Sequence, residues 1–331
     1  MNSRYAAAHL SPNGPGDARP TAEQIIKDEN LEGKLSDNFI LITGCSSGIG
    51  VETARALFVT GAQLYLTARD LSKAKEALPD LVTSDRVHLL ELDLNSLDSV
   101  RSCADNFLSQ SKSLNIFIAN AGVMACPEGR TKDGFETQLG TNHLSHFLLL
   151  NLLKPALLSA ATPSFSSRAV FLSSIGHRIA EVNFDNLNLE GAYNEWVAYG
   201  QSKTAVIWTV NEIDRRYGSK GLHAFSVNPG GIMTDLQRHL PDQSMFDGLE
   251  KEFKSPKQGA ATTVWAATAA ALGGQGAKYL ENCQISKPWS EKYGQWADGY
   301  APWAFDEEKE GRLWRKSLQL VGLEDAESER H

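Results

Sequence analysis

The sequence predicts an α/β protein built around a doubly wound parallel sheet, and two observations carry this prediction. Short apolar runs suited to buried strands alternate with segments of helical pattern over residues 39–119. A glycine-rich loop, Gly44 to Gly50, directly follows the first apolar run and precedes the first helical pattern, Val51 to Val59. Strand, glycine loop and helix in this order are typical of the Rossmann type of fold, in which a dinucleotide lies at the loop.

The strands and helices are predicted one by one from apolar runs and helical periodicity. The predicted strands are Phe39 to Thr43, Gln63 to Ala68, Val87 to Leu92, Leu114 to Ala119, Ala169 to Ser174, Leu222 to Val227 and Lys278 to Leu280. The later helices are predicted over Leu139 to Leu158, Asn194 to Tyr217 and Pro256 to Leu272.

The chain divides into three parts. Residues 1–35 form an N-terminal extension, in which a proline- and glycine-rich mobile tail of about 20 residues precedes a short helix from Thr21 to Asp28. Residues 36–285 form a single Rossmann-type domain, in which the charged and apolar stretch 235–255 is predicted to be a mobile substrate lid. Residues 286–331 form an aromatic-rich C-terminal extension, which packs on the domain, lines an apolar pocket or forms a subunit contact.

Composition narrows the class of protein. The chain has 331 residues with a net charge of -8, and without a basic patch a nucleic-acid partner is not expected. Its four cysteines are scattered and no histidine cluster accompanies them, which predicts reduced thiols and no metal site. No apolar run is long enough for a membrane span, and the N-terminus has no apolar signal core, so a cytoplasmic location is expected.

The glycine loop and the strand ends beside it are candidates for binding a dinucleotide. Glycines permit a tight turn and close approach of the backbone to a pyrophosphate, here in the spacing GxxxGxG. Arg69 follows the second strand, where an NAD site usually has an acidic residue, so Arg69 either meets the 2′-phosphate of NADP or is a solvated arginine. Asp93 ends the third strand and either meets the adenine edge or caps a helix.

Tyr199 and Lys203 form a candidate proton-transfer pair. Four residues apart on one predicted helix, they lie on one face, and a cation beside a phenol lowers its pKa. The pair could pass a proton to or from a substrate oxygen, although Tyr-x-x-x-Lys also arises by chance as an exposed helical pair.

Together, these motifs resemble the classical short-chain dehydrogenase/reductase family over about residues 36–285. The resemblance rests on the order of Thr43-Gly44-x-x-x-Gly48-x-Gly50, Asn120-Ala121-Gly122, Ser174, Tyr199-x-x-x-Lys203 and Asn228-Pro229-Gly230. The stretches 131–136 and 142–147 are similar to the branch that contains the retinol dehydrogenases. The resemblance implies a nicotinamide cofactor and the catalytic set Asn142, Ser174, Tyr199 and Lys203.

The implied roles cover a proton path, contacts to the substrate and contacts to the cofactor. The Asn142 carbonyl is implied to hold a water linked to Lys203, and a simple helix–helix hydrogen bond is the alternative. Ser174 is expected to donate to a substrate oxygen, with Ser173 as the fallback. His177 either touches substrate or stabilises its loop. The predicted cofactor-binding residues are Gly44, Ser46, Ser47, Gly48, Ile49, Gly50, Arg69, Asp93, Leu94, Asn120, Ala121, Gly122, Tyr199, Lys203, Pro229, Gly230 and Thr234.

The expected function is therefore an oxidoreductase that uses NADP, with NAD left open. It transfers a hydride between the cofactor and a carbonyl or alcohol of a mainly apolar small molecule. Two alternatives stay open at this point, because a fold does not fix a function: a non-redox isomerase or cyclase, and an inactive nucleotide-binding regulator. A homodimer is also left open.

Overall fold

The computed structural model describes residues 3–240, 242 and 244–325, and it has an eight-stranded sheet with helices on both faces. The strand order is β3-β2-β1-β4-β5-β6-β7-β8; β1 to β7 are parallel and β8 pairs antiparallel with β7. The strands are β1 Phe39–Thr43, β2 Gln63–Ala68, β3 Val87–Glu91, β4 Ile116–Ala119, β5 Ser167–Leu172, β6 Leu222–Asn228, β7 Lys278–Glu281 and β8 Gln284–Ile285. The predicted α/β doubly wound fold is confirmed.

One α-helix precedes the first strand, one follows the last strand, and the others lie between strands in the described chain. The α-helices are α1 Ala22–Asp28, α2 Gly48–Phe58, α3 Leu71–Ala77, α4 Leu97–Gln110, α5 Thr137–Leu139, α6 Ser145–Ala160, α7 Glu195–Tyr217, α8 Pro256–Gly259, α9 Ala261–Thr268 and α10 Glu307–Leu320. Helices α1, α2 and α9 pack on one face of the sheet, and α4, α6, α7 and α10 pack on the other. Each face buries its own apolar cluster, which includes Ile25, Leu57 and Val264 on the first and Phe107, Phe147 and Trp314 on the second.

The sheet order places a crevice beside the glycine loop. Strand β1 lies between β2 and β4, so the chain leaves β1 towards one edge of the sheet and leaves β4 towards the other. Ligands of open parallel sheets bind at such a reversal, outside the carboxyl ends of the strands. The glycine loop after β1 and Asn120-Ala121-Gly122 after β4 are therefore neighbours at this edge.

Two predicted helices are interrupted in the structure. The helix predicted over Leu139 to Leu158 contains one π-helical turn, Gly140–Leu144, between α5 and α6, and Asn142 lies in that turn. The helix predicted over Pro256 to Leu272 is divided into α8, α9 and a 3-10 turn, Ala270–Leu272. A single π-helical or 3-10 turn cannot be recognised from the spacing of apolar residues, because it hardly changes the period of the buried face.

Residues 3–20 correct the prediction of a mobile tail. Tyr5 and Arg19 are buried, and the Arg19 guanidinium donates to the carbonyls of Glu252 and Phe253. The prediction weighed glycine and proline content, whereas Arg19 and Gln258 supply hydrogen bonds that hold the segment against the rest of the chain. Met1 and Asn2 lie outside the described residues, and so do Pro241 and Gln243 of the predicted lid and residues 326–331 of the C-terminal extension.

Candidate active site

One cavity of about 790 Å³ opens at the carboxyl ends of the central strands. Its walls include the glycine loop, the turn after β4, the end of β5, one face of α7 and the turn after β6. Of the predicted site residues, those that line it are Gly44, Ser46, Ser47, Gly48, Ile49, Gly50, Asn120, Ala121, Gly122, Ser174, Tyr199, Lys203, Pro229, Gly230 and Thr234. Segments distant in the sequence thus meet around one space large enough for a ligand.

The glycine loop is built for close backbone packing. Gly44 has φ +76°, and a Cβ atom there would lie 2.8 Å from that of Ala121. A Cβ atom on Gly50 would lie 2.2 Å from the Gly44 carbonyl oxygen. Side chains at both positions are therefore excluded, and the loop fits tightly against the turn after β4.

The N-terminus of α2 presents backbone amide donors beside the loop, and Asn120 after β4 presents an acceptor. The Ser47 side chain, at the N-cap of α2, makes no capping hydrogen bond, so the first amides of this helix are not satisfied by it. Asn120 donates from Nδ2 to the Thr43 carbonyl at 2.8 Å, while its buried Oδ1 has no partner within the described residues. A helix N-terminus and a close-packed backbone suit a pyrophosphate, so these residues fit a dinucleotide.

Ser174, Tyr199 and Lys203 lie together in the lining of this cavity. Tyr199 and Lys203 lie one turn apart on α7, and the Lys203 ammonium lies 5.6 Å from the centre of the Tyr199 ring. Lys203 Nζ also donates to the Leu172 carbonyl at 2.8 Å, which fixes it beside the end of β5. Gly176 leaves room for the tyrosine, because a Cβ atom there would lie 2.7 Å from Tyr199 Cε1.

Burial sets the pKa of both groups. It raises the pKa of Tyr199 from 10.0 to about 12, against the lowering effect of a hydrogen bond with Ser174. It lowers the pKa of Lys203 from 10.5 to about 8. The pKa of Tyr199 is thus shifted in the opposite direction to the sequence-based expectation. Burial disfavours the charged phenolate, and it also disfavours the charge of the Lys203 cation that was expected to stabilise the phenolate. At neutral pH the phenol is therefore protonated.

Asn142 lies next to Gly122, behind the cavity lining, and its side chain bonds to neighbouring segments. Its Oδ1 accepts from the Val123 amide at 2.9 Å, and its Nδ2 donates to the Val123 carbonyl at 3.0 Å and to Ser202 Oγ at 3.0 Å. Its backbone carbonyl lies 3.1 Å from His146 Nδ1. The alternative of a structural hydrogen bond thus describes the side chain, while the implied water at the carbonyl stays a prediction.

Comparison with known proteins identifies the family. A model of the family described as short chain dehydrogenase matches residues 38–244. The chain belongs to the short-chain dehydrogenase family. The chain is 51% identical over 329 residues to short-chain dehydrogenase/reductase prx1 of Penicillium roqueforti, covering 98% of this chain and 96% of the relative. It is 35% identical to human retinol dehydrogenase 12, with 88% of each chain covered, in agreement with the resemblance to that branch.

A solved structure shares the fold. A protein from Mycobacterium paratuberculosis, described as putative and uncharacterized, superposes with a TM-score of 0.67 at 32% identity, covering 87% of this chain and 94% of that one. Membership makes the protein an oxidoreductase that acts on a CH–OH group with a nicotinamide cofactor.

No helix within residues 3–240, 242 and 244–325 is long and apolar enough to cross a membrane.

Three predicted cofactor residues of this short-chain dehydrogenase lie outside the cavity lining. Arg69 is exposed after β2, and within the described part of the chain its guanidinium makes no hydrogen bond or ion pair. Asp93 accepts from the Asn95 amide and from Lys132 Nζ, so it is not the helix cap considered as an alternative; Ser96 caps α4. Leu94 is buried, and its carbonyl accepts from Ser145. Their roles towards the cofactor stay predictions.

The structure distinguishes between the two roles predicted for His177. The side chain is fully buried: Nδ1 lies 2.6 Å from the Ser174 carbonyl oxygen, and Nε2 accepts from the Ala301 amide at 2.9 Å. Both ring nitrogens are therefore used within the protein, and the ring does not line the cavity. Of the two alternatives, loop stabilisation is the one that the structure shows.

The buried His177 should make the protein sensitive to acid. Burial lowers its pKa to about 4, so between pH 6.5 and 4 the unfolded chain binds a proton that the folded protein does not. Stability from this group is present above pH 6.5 and falls by about 1.4 kcal/mol per pH unit below it. In urea unfolding at pH 8 and 5.5, His177→Gln should lose less stability on acidification than the wild type. Equal losses in both proteins would contradict this assignment.

Several cavity residues are not among the predicted site residues. Trp196 lies one turn before Tyr199 on α7. The two rings pack edge to face, with their centres 6.4 Å apart. Arg178 donates to the carbonyls of Gln295 and Ala297, and its guanidinium lies over Trp289 at 4.7 Å. Part of the C-terminal extension is thereby held against the cavity, whereas Tyr300 and Phe305 pack on each other.

Proposed function

We propose that the protein is an NADP-dependent oxidoreductase that reduces a ketone or aldehyde of a mainly apolar substrate, or oxidises the corresponding alcohol. The observation that carries the proposal is the meeting of Ser174, Tyr199 and Lys203 with the glycine loop around one cavity. The cofactor would lie along the loop, with Thr234 and the Pro229-Gly230 turn on its nicotinamide side. The nicotinamide, when bound, supplies or accepts the hydride.

The side chains of this protein would handle the substrate oxygen and its proton. Ser174 Oγ donates a hydrogen bond to that oxygen and stabilises the charge that develops on it. Tyr199, whose raised pKa keeps it protonated at neutral pH, transfers its phenolic proton to the oxygen. Lys203, with a pKa of about 8, still carries its proton at neutral pH and stabilises the phenolate that remains. Asn142 positions the backbone at Val123.

The cavity walls support an apolar substrate. On the substrate side they include Met124, Trp196, Leu236, Met245, Phe246 and Trp289. Of the cations in this lining, Arg178 is engaged with backbone carbonyls and Lys254 with the Pro229 carbonyl and Asn282 Oδ1. Arg238 is exposed and donates to the Asp235 carbonyl, so the proposal rests on the apolar side chains of the wall. The retinol dehydrogenases that the chain resembles take, by their name, an apolar alcohol.

A substrate panel tests this proposal. Hydrophobic ketones and aldehydes should be reduced with a kcat/KM at least about 10-fold above that of sugar phosphates of similar size, because burial of apolar area favours the former. The decrease in NADPH absorbance measures each rate. Preference for the phosphorylated set would reject the apolar substrate but not the redox reaction.

The same assay separates redox chemistry from the alternatives. Turnover of substrate without any change in nicotinamide absorbance would indicate an isomerase or cyclase, and cofactor binding without turnover across the panel would indicate a regulator. A hydroxyl, a phenol and an ammonium meet beside the loop, as the redox reaction requires. No feature of the described site specifically supports an isomerase, a cyclase or an inactive regulator. A homodimer and a cytoplasmic location stay predictions.

A further inference from the structure

The N-terminal strap, residues 3–20, forms part of the cavity wall. His9, Pro12 and Arg19 of the strap line the same cavity as Tyr199. The match to the family begins at residue 38, so these residues lie before the part of the chain that defines the family. The strap is therefore a part of the cavity wall that lies outside the family match.

Arg19 joins the strap to the lid stem, which we define as residues 249–254. The guanidinium donates to the carbonyls of Lys251, Glu252 and Phe253, the last at 2.6 Å. It also donates from Nε to Asp17 Oδ1 at 2.9 Å and from Nη2 to the Gly14 carbonyl. Arg19 is 5% exposed. With five hydrogen bonds to its own chain, it serves as a connector rather than as a cation free to bind an anionic ligand.

Gln258 also holds the strap. This residue of α8 accepts from the Gly16 amide at 2.8 Å and donates to Asp17 Oδ1 at 3.0 Å and to the Arg19 carbonyl at 3.1 Å. The Gly14 amide also donates to the Lys251 carbonyl at 2.9 Å. The strap is thus bonded both to the lid stem and to the helix that follows it.

The lid stem connects in turn to the reaction site. Leu249 and Phe253 line the cavity. The Lys254 amide donates to the Gly231 carbonyl at 2.8 Å, and Lys254 Nζ donates to the Pro229 carbonyl at 3.1 Å. A continuous series of contacts therefore runs from Arg19 through the lid stem to the turn that faces the nicotinamide side of the cavity.

We propose that the N-terminal strap fixes the lid stem over the cavity and that Arg19 is the positioning residue for this closure. Without the guanidinium, three carbonyls of the lid stem lose a charged donor, and the stem opens more often. Opening weakens substrate binding, because Leu249 and Phe253 leave the wall. The proton transfer at Tyr199 is unaffected once substrate is bound. The kinetic part of this inference rests on the proposed function.

Two measurements on the full chain test the inference. Amide hydrogen exchange at Glu252 and Lys254 reports opening of the stem and needs no substrate, because these amides donate to Leu249 and Gly231. Steady-state kinetics with a hydrophobic ketone gives kcat and KM separately. The variants are Arg19→Ala, Arg19→Lys and, as a matched control, Arg168→Ala. Arg168 is 6% exposed and donates to the carbonyls of Ala266 and Ala269, but it does not line the cavity.

In Arg19→Ala we expect exchange at both amides about 10-fold faster and KM about 10-fold higher, with kcat within about 2-fold of wild type. Arg19→Lys should recover part of both effects. Arg168→Ala should lower thermal stability but leave exchange in the stem and KM unchanged. Wild-type exchange in Arg19→Ala, or equal changes in Arg168→Ala, would overturn the inference. If no carbonyl substrate is turned over, the proposed function fails while the exchange measurement still decides the role of the strap.

Discussion

Tyr199→Phe should lower turnover by at least about 100-fold, the low end for loss of a general acid. The substitution keeps the ring, which packs against Trp196 and fills the space left by Gly176, and removes only the hydroxyl. No other group is expected to replace it. The Ser174 hydroxyl is a far weaker acid than a phenol, and the Lys203 ammonium is held by its hydrogen bond to the Leu172 carbonyl. Cofactor affinity should stay within about 3-fold, since the ring still closes the same wall.

Tyr193→Phe is the matched control for that experiment. Tyr193 is also a tyrosine whose pKa burial raises to about 12, but its hydroxyl donates to the Cys126 carbonyl at 2.7 Å. Position 197 is a valine, so Tyr193 has no lysine one turn later. Tyr193→Phe should keep most of the turnover. Near-normal turnover in Tyr199→Phe, measured by single-turnover NADPH oxidation, would remove Tyr199 from the reaction.

The sheet could be predicted from the sequence because its signals are local. Buried parallel strands appear as continuous apolar runs, and β1 and β2 have the predicted bounds. The glycine loop could also be predicted, since a tight turn before a helix needs glycines at fixed spacing. Strand β5 was placed two residues late, because Ser167 and Arg168 are polar although both are buried.

Contacts between distant segments could not be predicted in the same way. Arg19 meets a carbonyl 234 residues later, and His177 meets an amide 124 residues later. Neither partner is a side chain with its own sequence signal, because any residue carries a backbone carbonyl and most carry an amide. The sequence therefore predicts a mobile tail and leaves His177 open between a substrate contact and a loop-stabilising hydrogen bond. In contrast, α10 had a usable signal that was missed: Asp306 as N-cap, followed by the buried Leu313, Trp314 and Leu318.

The pKa of Tyr199 illustrates the same distinction. The spacing of Tyr199 and Lys203 predicts that the two groups are neighbours, and the structure places them one turn apart on α7. Spacing does not report how much water surrounds them, and burial of both groups reverses the expected direction for the tyrosine. Geometry along one helix is thus accessible from sequence, whereas solvation depends on every segment that closes the cavity.

Arg69→Ala should weaken NADP binding by about 1.5–3 kcal/mol, the range for hydrogen bonds to charged groups, and change NAD binding little. The guanidinium is exposed at the end of β2, and within the described residues it has no partner in the protein. A planar donor fork of this kind suits the oxygens of a 2′-phosphate. Asp70 does not occupy that fork, because its Oδ1 caps α3 by accepting from the Ser72 and Lys73 amides.

Lys73→Ala provides the control for a general effect of charge. Lys73 is exposed on α3, four residues after Arg69, so its removal changes the net charge equally without removing the proposed phosphate contact. Fluorescence titration of each variant with NADPH and NADH gives the four dissociation constants. We expect Arg69→Ala alone to lose the preference for NADPH, since only the phosphate distinguishes the two cofactors. Equal losses for both cofactors, or a wild-type protein that prefers NADH, would show that Arg69 does not read the 2′-phosphate.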